Sequence, residues 1–139
     1  TLKDVLDNLN KLLDIEVVDT ICIPDRLLQM NTRIERHILL DILEVWFKVQ
    51  YHGGVPQNKE FHLLALDDYR QLPLLNRPWI RSIDSTAPFK IGLYGKLMQT
   101  GDVDTVKRPV DYFEITKIQP EQMSRILVNI KWIKSILGD

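Results

Sequence analysis

The sequence predicts a mainly helical domain, a bundle of about five helices, with an α+β arrangement carrying a small antiparallel β ribbon as the alternative. Three observations predict it. Apolar residues recur at helical spacing over residues 1–16, 32–51 and 120–137, the i, i+3, i+4, i+7 pattern that lays one stripe along a helix. Strand-like stretches are two or three in number and short, fewer than a βαβ sheet needs. The chain has 139 residues, 45% of them apolar, which is one domain's length with a globular composition.

In residues 1–16 the stripe is Leu2, Val5, Leu6, Leu9, Leu12 and Leu13, with Thr1 and Asp4 as the start signal. From Ile15 to Ile23 the β-branched Val17, Val18, Ile21 and Ile23 predict a buried strand or extended connector closed by Pro24, and Asp25 then caps a short turn over Arg26 to Met30. Thr32 with Glu35 three residues later has capping-box spacing and opens a long helix over 32–51. That helix leaves only a narrow polar row at Arg33, His37, Asp41, Glu44 and Lys48, so it is predicted to be central and buried on most sides, ending at Gly53-Gly54. Asn58 is read as the cap of a helix to about Arg70, stopped by Pro73, and residues 73–88, with three prolines, as an ordered surface excursion. Ser85-Thr86 before Pro88 predicts a helix to about Gln99, and Val110 to Ile118 alternates well enough for a strand. Pro120 at a first helical position, the stripe Met123, Ile126, Leu127, Ile130, Ile133 and Leu137, and Gly138 define the last helix.

Residues 1–139 are thus expected to form a single helical domain, and the absence of an initiator Met fits one excised from a longer chain. Lys and Arg number 18 against 19 Asp and Glu, a net charge of −1. No run approaches the roughly 20 apolar residues of a membrane span, and the sequence opens without the apolar core of a signal peptide. A lone Cys22 makes no internal disulfide. The expectation is an intracellular protein, cytoplasmic or nuclear, that does not engage a membrane.

Catalytic motifs are missing. His37, His52 and His62 have no nucleophile motif around them, and Ser82, Ser85, Ser124 and Ser135 lack the G-x-S-x-G setting of a nucleophile elbow. Cys22, between two isoleucines, is expected to be a buried inert thiol. One Cys and three scattered His do not supply a zinc site, and Asp67-Asp68, Asp102 and Asp104 are expected to be solvated charges. Glu114 and Lys117 are three apart, which would put them on opposite faces of a strand rather than in a nuclease's Glu-x-Lys pair. Gly92-Leu93-Tyr94-Gly95 has the spacing of a backbone-clamping GXXG loop but lacks its basic residue. No P-loop or dinucleotide fingerprint occurs, so neither cofactor nor metal is expected. A small metal-dependent hydrolase using Asp67, Asp68 or Asp111 is the least favoured reading.

The informative asymmetry is charge. Residues 70–108 hold seven basic and three acidic side chains, with Trp79, Phe89 and Tyr94 among them. Trp, Tyr and Arg dominate interface hot spots, and a proline-ordered segment presents them at low entropic cost. The leading expectation is therefore a non-enzymatic protein–protein interaction module, an adaptor or scaffold subunit, with a protein partner or a second copy bound through Arg77, Trp79, Arg81, Phe89, Val128 and Trp132. The alternative is a nucleic-acid-binding module using Arg70, Arg77, Trp79, Arg81, Lys90, Lys96, Lys107 and Arg108, since bases and phosphates are held by aromatic stacking and charge.

Overall fold

A computed structural model describes residues 1–65, 69–100 and 116–138. Its contacts divide the chain into two units: Thr1–Asp67 with Leu74–Asp84, and Asp68–Pro73 with Ser85–Asp139.

The first unit is built on a three-stranded parallel sheet in the order β1-β2-β3 (β1 Thr20–Pro24, β2 Glu60–Leu64, β3 Ile80–Ile83). The expected bundle with an antiparallel ribbon is corrected on this point: helices predominate, but the strands are parallel and form an α+β domain. Parallel neighbours need a crossover, and α2 (Arg26–Thr32) and α3 (Arg36–Tyr51) supply it between β1 and β2. Two strands lie where none was predicted. The segment Glu60–Leu64 alternates, with Phe61 and Leu63 buried and His62 half-buried, yet Phe61 and Leu64 also have helical spacing, and five residues satisfy both periods. Ile80–Ile83 lies inside the stretch 73–88, whose three prolines and turn residues predict a surface excursion; Pro78, however, stands before the strand's first residue, where a proline removes no ladder hydrogen bond.

β1 ends at Pro24 as predicted but begins only at Thr20: Ile21 and Ile23 turn to the core, whereas Ile15 and Val17, in the earlier half of the β-branched run, are exposed outside the strand. They share that face with Phe61 and Leu63, against which α3 lays Leu39, Leu40, Leu43 and Phe47. Phe47 meets Phe61 edge-on at 5.5 Å, a pairing that adds about 0.5–1.5 kcal/mol beyond its area. Helix α3 is not buried on most sides: Ile38, Val45 and Val49 are exposed, and its buried side is one stripe. Nor does it start at Thr32, whose hydroxyl donates to Leu28 O and so belongs to the end of α2, closed by Arg33 at φ 57°. Helix α1 (Leu2–Leu13) starts with the capping box of Thr1 and Asp4, which satisfies two of the first turn's orphan donors.

Two buried cations brace this unit. Lys59 donates to Ile15 O and Val18 O at 2.7 and 2.5 Å, tying the chain before β1 to the start of β2. Arg36, 1% exposed, reaches the carboxyl ends of the strands from the first turn of α3. It donates to Ile23 O at 3.4 Å, Leu64 O at 2.8 Å and Ala65 O at 3.1 Å, and lies 3.5 Å from Asp25 Oδ2.

In the second unit α5 (Ala87–Leu93) packs on α6 (Pro120–Leu137); between the units' sequences runs the single-turn α4 (Leu72–Leu75). Helix α5 is shorter than predicted, since Gly95 takes φ 78° and only a 3₁₀ turn, Met98–Thr100, follows. Pro120 and Gly138 bound α6 as predicted. Asn129, fully buried, accepts the Met98 N–H at 2.8 Å and donates to Pro88 O at 3.2 Å and Lys96 O at 3.4 Å. Arg125 Nε donates to Gly92 O at 2.9 Å and Gln122 Nε2 to Leu93 O at 3.2 Å, and these hold the end of α5 against α6. Tyr69 meets Trp132 edge-on at 5.7 Å. The strand predicted over 110–118 falls largely outside the described residues.

Candidate functional site

The sequence of α1 places Val5, Leu9 and Leu12 at i, i+4 and i+7, along one side of a 12-residue helix. That side does not close on the sheet. Between α1, β1, α2 and the buried stripe of α3 lies a groove of about 410 Å³, with Leu39 and Leu43 on α3, Ile21 and Ile23 on β1, and Leu27 and Leu28 on α2 among its lining. Among the described residues no charged side chain lines it. Of its polar members, Asn31 is already engaged, donating to Leu27 O at 2.8 Å. Leu27 is 60% exposed and Met30, three residues on, 74% exposed. Side chains of this size standing in water beside an open apolar groove mark an interaction site rather than scattered surface.

β1 walls the groove from the edge of the sheet, since β2 flanks it on one side only. Cys22 lies in that wall and is exposed, not the buried thiol expected from its isoleucine neighbours. Alternation explains the difference: with Ile21 and Ile23 turned inward, the residue between them points out.

Arg77, Trp79 and Arg81, singled out in the sequence, each make contacts within the first unit. Arg77 Nη2 lies 2.7 Å from Asp41 Oδ1 and Nη1 lies 2.9 Å from Glu44 Oε1, while Nε donates to Leu74 O at 3.0 Å. Partial desolvation pulls the guanidinium's pKa down, but the hydrogen bonds and charges of the two carboxylates outweigh it and hold the pKa above its usual value. Trp79 donates its indole N–H to the same Glu44 at 3.0 Å and packs edge-on against Phe61 at 5.2 Å and Phe47 at 5.8 Å. Arg81 is paired with Glu60. Trp79 and Arg81 line a shallow depression with Val55, Pro56 and Pro78. Arg77, Trp79 and Arg81 therefore fasten β3 and its approach to α3 and β2.

Of the residues in the second unit, Arg70 is exposed and Phe89, Lys90 and Lys96 are half-buried. Lys107 and Arg108 lie outside the described residues. Val128 is exposed, and Trp132 is half-buried against Tyr69. The apolar row that α6 leaves uncovered is a different one. Met123, Leu127 and Ile130, at i, i+4 and i+7, are 42%, 50% and 37% exposed, and the buried Ile126 and Asn129 lie on the adjacent face. The predicted stripe Met123, Ile126, Leu127, Ile130, Ile133 and Leu137 is therefore split: Ile126 is buried with Asn129, while Met123, Leu127 and Ile130 face outward.

Among the described residues no group of three or more His, Cys, Asp or Glu side chains is placed to hold a metal ion, and no helix is long and apolar enough to cross a membrane. Asp67, Asp68 and Asp111 lie outside the described residues. The chain matches no family model, no curated protein and no solved structure.

Proposed function

We propose that this chain is a protein-interaction module that seats the apolar face of a helix in the groove between α1, β1, α2 and α3, and that the helix is α6 of a second copy. The observation that carries the reading is the groove, lined by no charged side chain among the described residues, with Leu27 of its lining exposed and Met30 exposed three residues further along α2. The occupant follows from the chain itself. Its own α6 offers Met123, Leu127 and Ile130 as an uncovered row at the spacing a helix uses to enter an apolar groove. Groove and helix are different surfaces, so the association is head-to-tail and propagates unless the rotation closes it into a ring. The basic and aromatic segment supports this reading better than a nucleic-acid surface, because Arg77 and Arg81 already face carboxylates and Trp79 is packed between phenylalanines.

The test uses two variants and their mixture. Leu27→Glu with Met30→Glu spoils the groove, and Leu127→Glu spoils the helix face; all three positions are exposed, so the folds survive. Sedimentation of the parent at about 1–200 μM, a range that reports association free energies of about −8 to −5 kcal/mol, should show mass rising with concentration. Each variant alone should stay monomeric, and an equimolar mixture should form a 1:1 complex, because one intact groove then meets one intact helix. A parent that stays monomeric, or variants that associate as the parent does, would overturn the proposal.

A further inference from the structure

The outward face of the sheet carries a polar row made by no recognisable sequence motif and using none of the groove's apolar side chains. His62, on β2, has Nδ1 2.7 Å from Ser82 Oγ and Nε2 2.9 Å from Asp84 Oδ1. The same Asp84 oxygen accepts the Ala65 N–H at 2.9 Å. A carboxylate only accepts, so it fixes the imidazole proton on Nε2 and leaves the Nδ1 lone pair facing the Ser82 hydroxyl. This is the nucleophile, base and orienting acid of a serine triad, with the two ring nitrogens exchanged relative to the proteases. Partial desolvation works against the Asp84 charge, but the hydrogen bonds from Ala65 N–H and His62 outweigh it and hold the carboxyl below its ordinary range.

Two departures from regular structure bring these groups together. Phe61 pairs with Ile80 and His62 with Ser82, so Arg81 is an extra residue in β3. In unbroken register His62 would face Arg81, and Ser82 would pair with Leu63 on the buried side. Bulges are rare in parallel pairs, and they re-aim side chains beside active sites. The second departure is Ala65, a non-glycine residue at φ 58°. It is clamped from both sides: Arg36 Nη2 donates to its carbonyl at 3.1 Å, and its N–H donates to Asp84. Strained backbone of this kind collects at functional sites. Ser82 is exposed, where a purely structural hydrogen bond competes with water and adds little but a nucleophile is accessible.

We propose that Ser82 is an activated nucleophile that accepts an acyl group from a small, unhindered carboxylic ester at this open face, with His62 as its base and Asp84 as a positioning residue. As Ser82 Oγ bonds to the carbonyl carbon, its proton passes to His62 Nδ1. Collapse of the tetrahedral adduct breaks the ester C–O bond, and the departing alcohol takes that proton. Water, deprotonated by the same nitrogen, then adds to the acyl carbon; the carboxylic acid leaves and the proton returns to Ser82.

The experiment treats the full chain with a fluorophosphonate, which phosphonylates an activated serine and releases fluoride, and maps the adduct by mass spectrometry. p-Nitrophenyl acetate serves as the ester. The expected result is an adduct at Ser82, formed at least about tenfold faster than at Ser85, Ser124 or Ser135. Ser82→Ala should abolish it. His62→Gln, which keeps a hydrogen-bonding side chain but no base, should slow it by about 10²–10⁴, the range of general base catalysis. Asp84→Asn should move the acid limb of the labelling rate against pH, which loss of a mere tie between strands would not do. A folded parent that is not labelled at Ser82, or a His62→Gln variant labelled as fast as the parent, would overturn the proposal.

Discussion

Replacing Gly92 by Ala sets two effects of opposite sign against each other, and the structure says which wins. Gly92 lies in α5, where a glycine costs about 1 kcal/mol relative to alanine, so propensity alone predicts a stabilised protein. A Cβ at Gly92 would, however, lie 2.6 Å from Ile126 Cγ1, 2.8 Å from Ile126 N and 2.9 Å from Ile126 Cα. The side-chain atom can turn away, but the other two are backbone of α6. Restoring ordinary contact moves one helix by roughly half an ångström or more, since carbon atoms rest about 3.5–4.0 Å apart. That movement stretches the Arg125 bond to Gly92 O, 2.9 Å, and the Gln122 bond to Leu93 O, 3.2 Å. Overpacking costs about 1–3 kcal/mol and each weakened hydrogen bond up to about 1 kcal/mol, so after the propensity gain Gly92→Ala should destabilise by about 1–3 kcal/mol. Gly53, whose added Cβ would meet only Tyr51 O at 3.8 Å, is the control and should change stability by less than about 0.5 kcal/mol when made Ala. Urea denaturation combined with amide exchange along residues 126–130 reads the effect where it arises. A Gly92→Ala protein as stable as the parent, with unchanged protection in α6, would refute the close approach and the helix pairing built on it.

Arg36→Met should cost about 3–5 kcal/mol, because it takes the donor from three carbonyls at the strand ends and one of the partners of the buried Asp25; a urea midpoint within error of the parent would contradict the brace. Asn129→Leu should cost about 2–4 kcal/mol by stripping partners from Met98 N–H, Pro88 O and Lys96 O, with no matching loss for Ser124→Ala on the exposed side of α6. Acid acts on Asp84 with a definite sign. Its folded pKa lies below the unfolded value of 3.8, so the stability it lends is complete above that value and disappears as pH falls through the lowered one. The difference in denaturation midpoint between parent and Asp84→Asn should therefore shrink between pH 7 and pH 3, and a difference that grew would contradict the assignment.

Helices α1 and α6 were legible because each has enough turns for its period to show and a chemical signal at its end, Thr1 with Asp4 in one and Pro120 with Gly138 in the other. The sheet was not, because its strands are four or five residues long and their parallel pairing lies entirely in long-range register. Thr32 and Glu35 had capping-box spacing, but the hydroxyl turns back to Leu28 O, since a threonine can bond its own preceding turn as well as start a new helix. Asn129 did leave a trace: it stands three residues after Ile126 and four before Ile133, inside the apolar stripe, where a polar side chain must be buried and satisfied. Nothing local could have joined His62 to Ser82 and Asp84, because their meeting depends on one extra residue in β3 that is visible only once β2 lies beside it. The groove was hidden for a similar reason. Its apolar lining reads like core until the elements are placed and a space is left between them.

The parallel order of the strands also sets a timetable. Thr20 pairs with Glu60 across 40 residues of chain, and Phe61 pairs with Ile80 across 19. By loop-closure entropy the longer closure is the costlier by about 0.7 kcal/mol. β2 and β3 can therefore meet first, and β1 joins last. On the ribosome the order of appearance is the reverse: β1 emerges first and waits for the residues that separate it from β2, about 2–8 s at ordinary synthesis rates. Throughout that interval Ile21 and Ile23 have no strand beside them, and the wall of the groove is a sticky edge rather than a binding surface, open to chaperones and to the wrong neighbour alike.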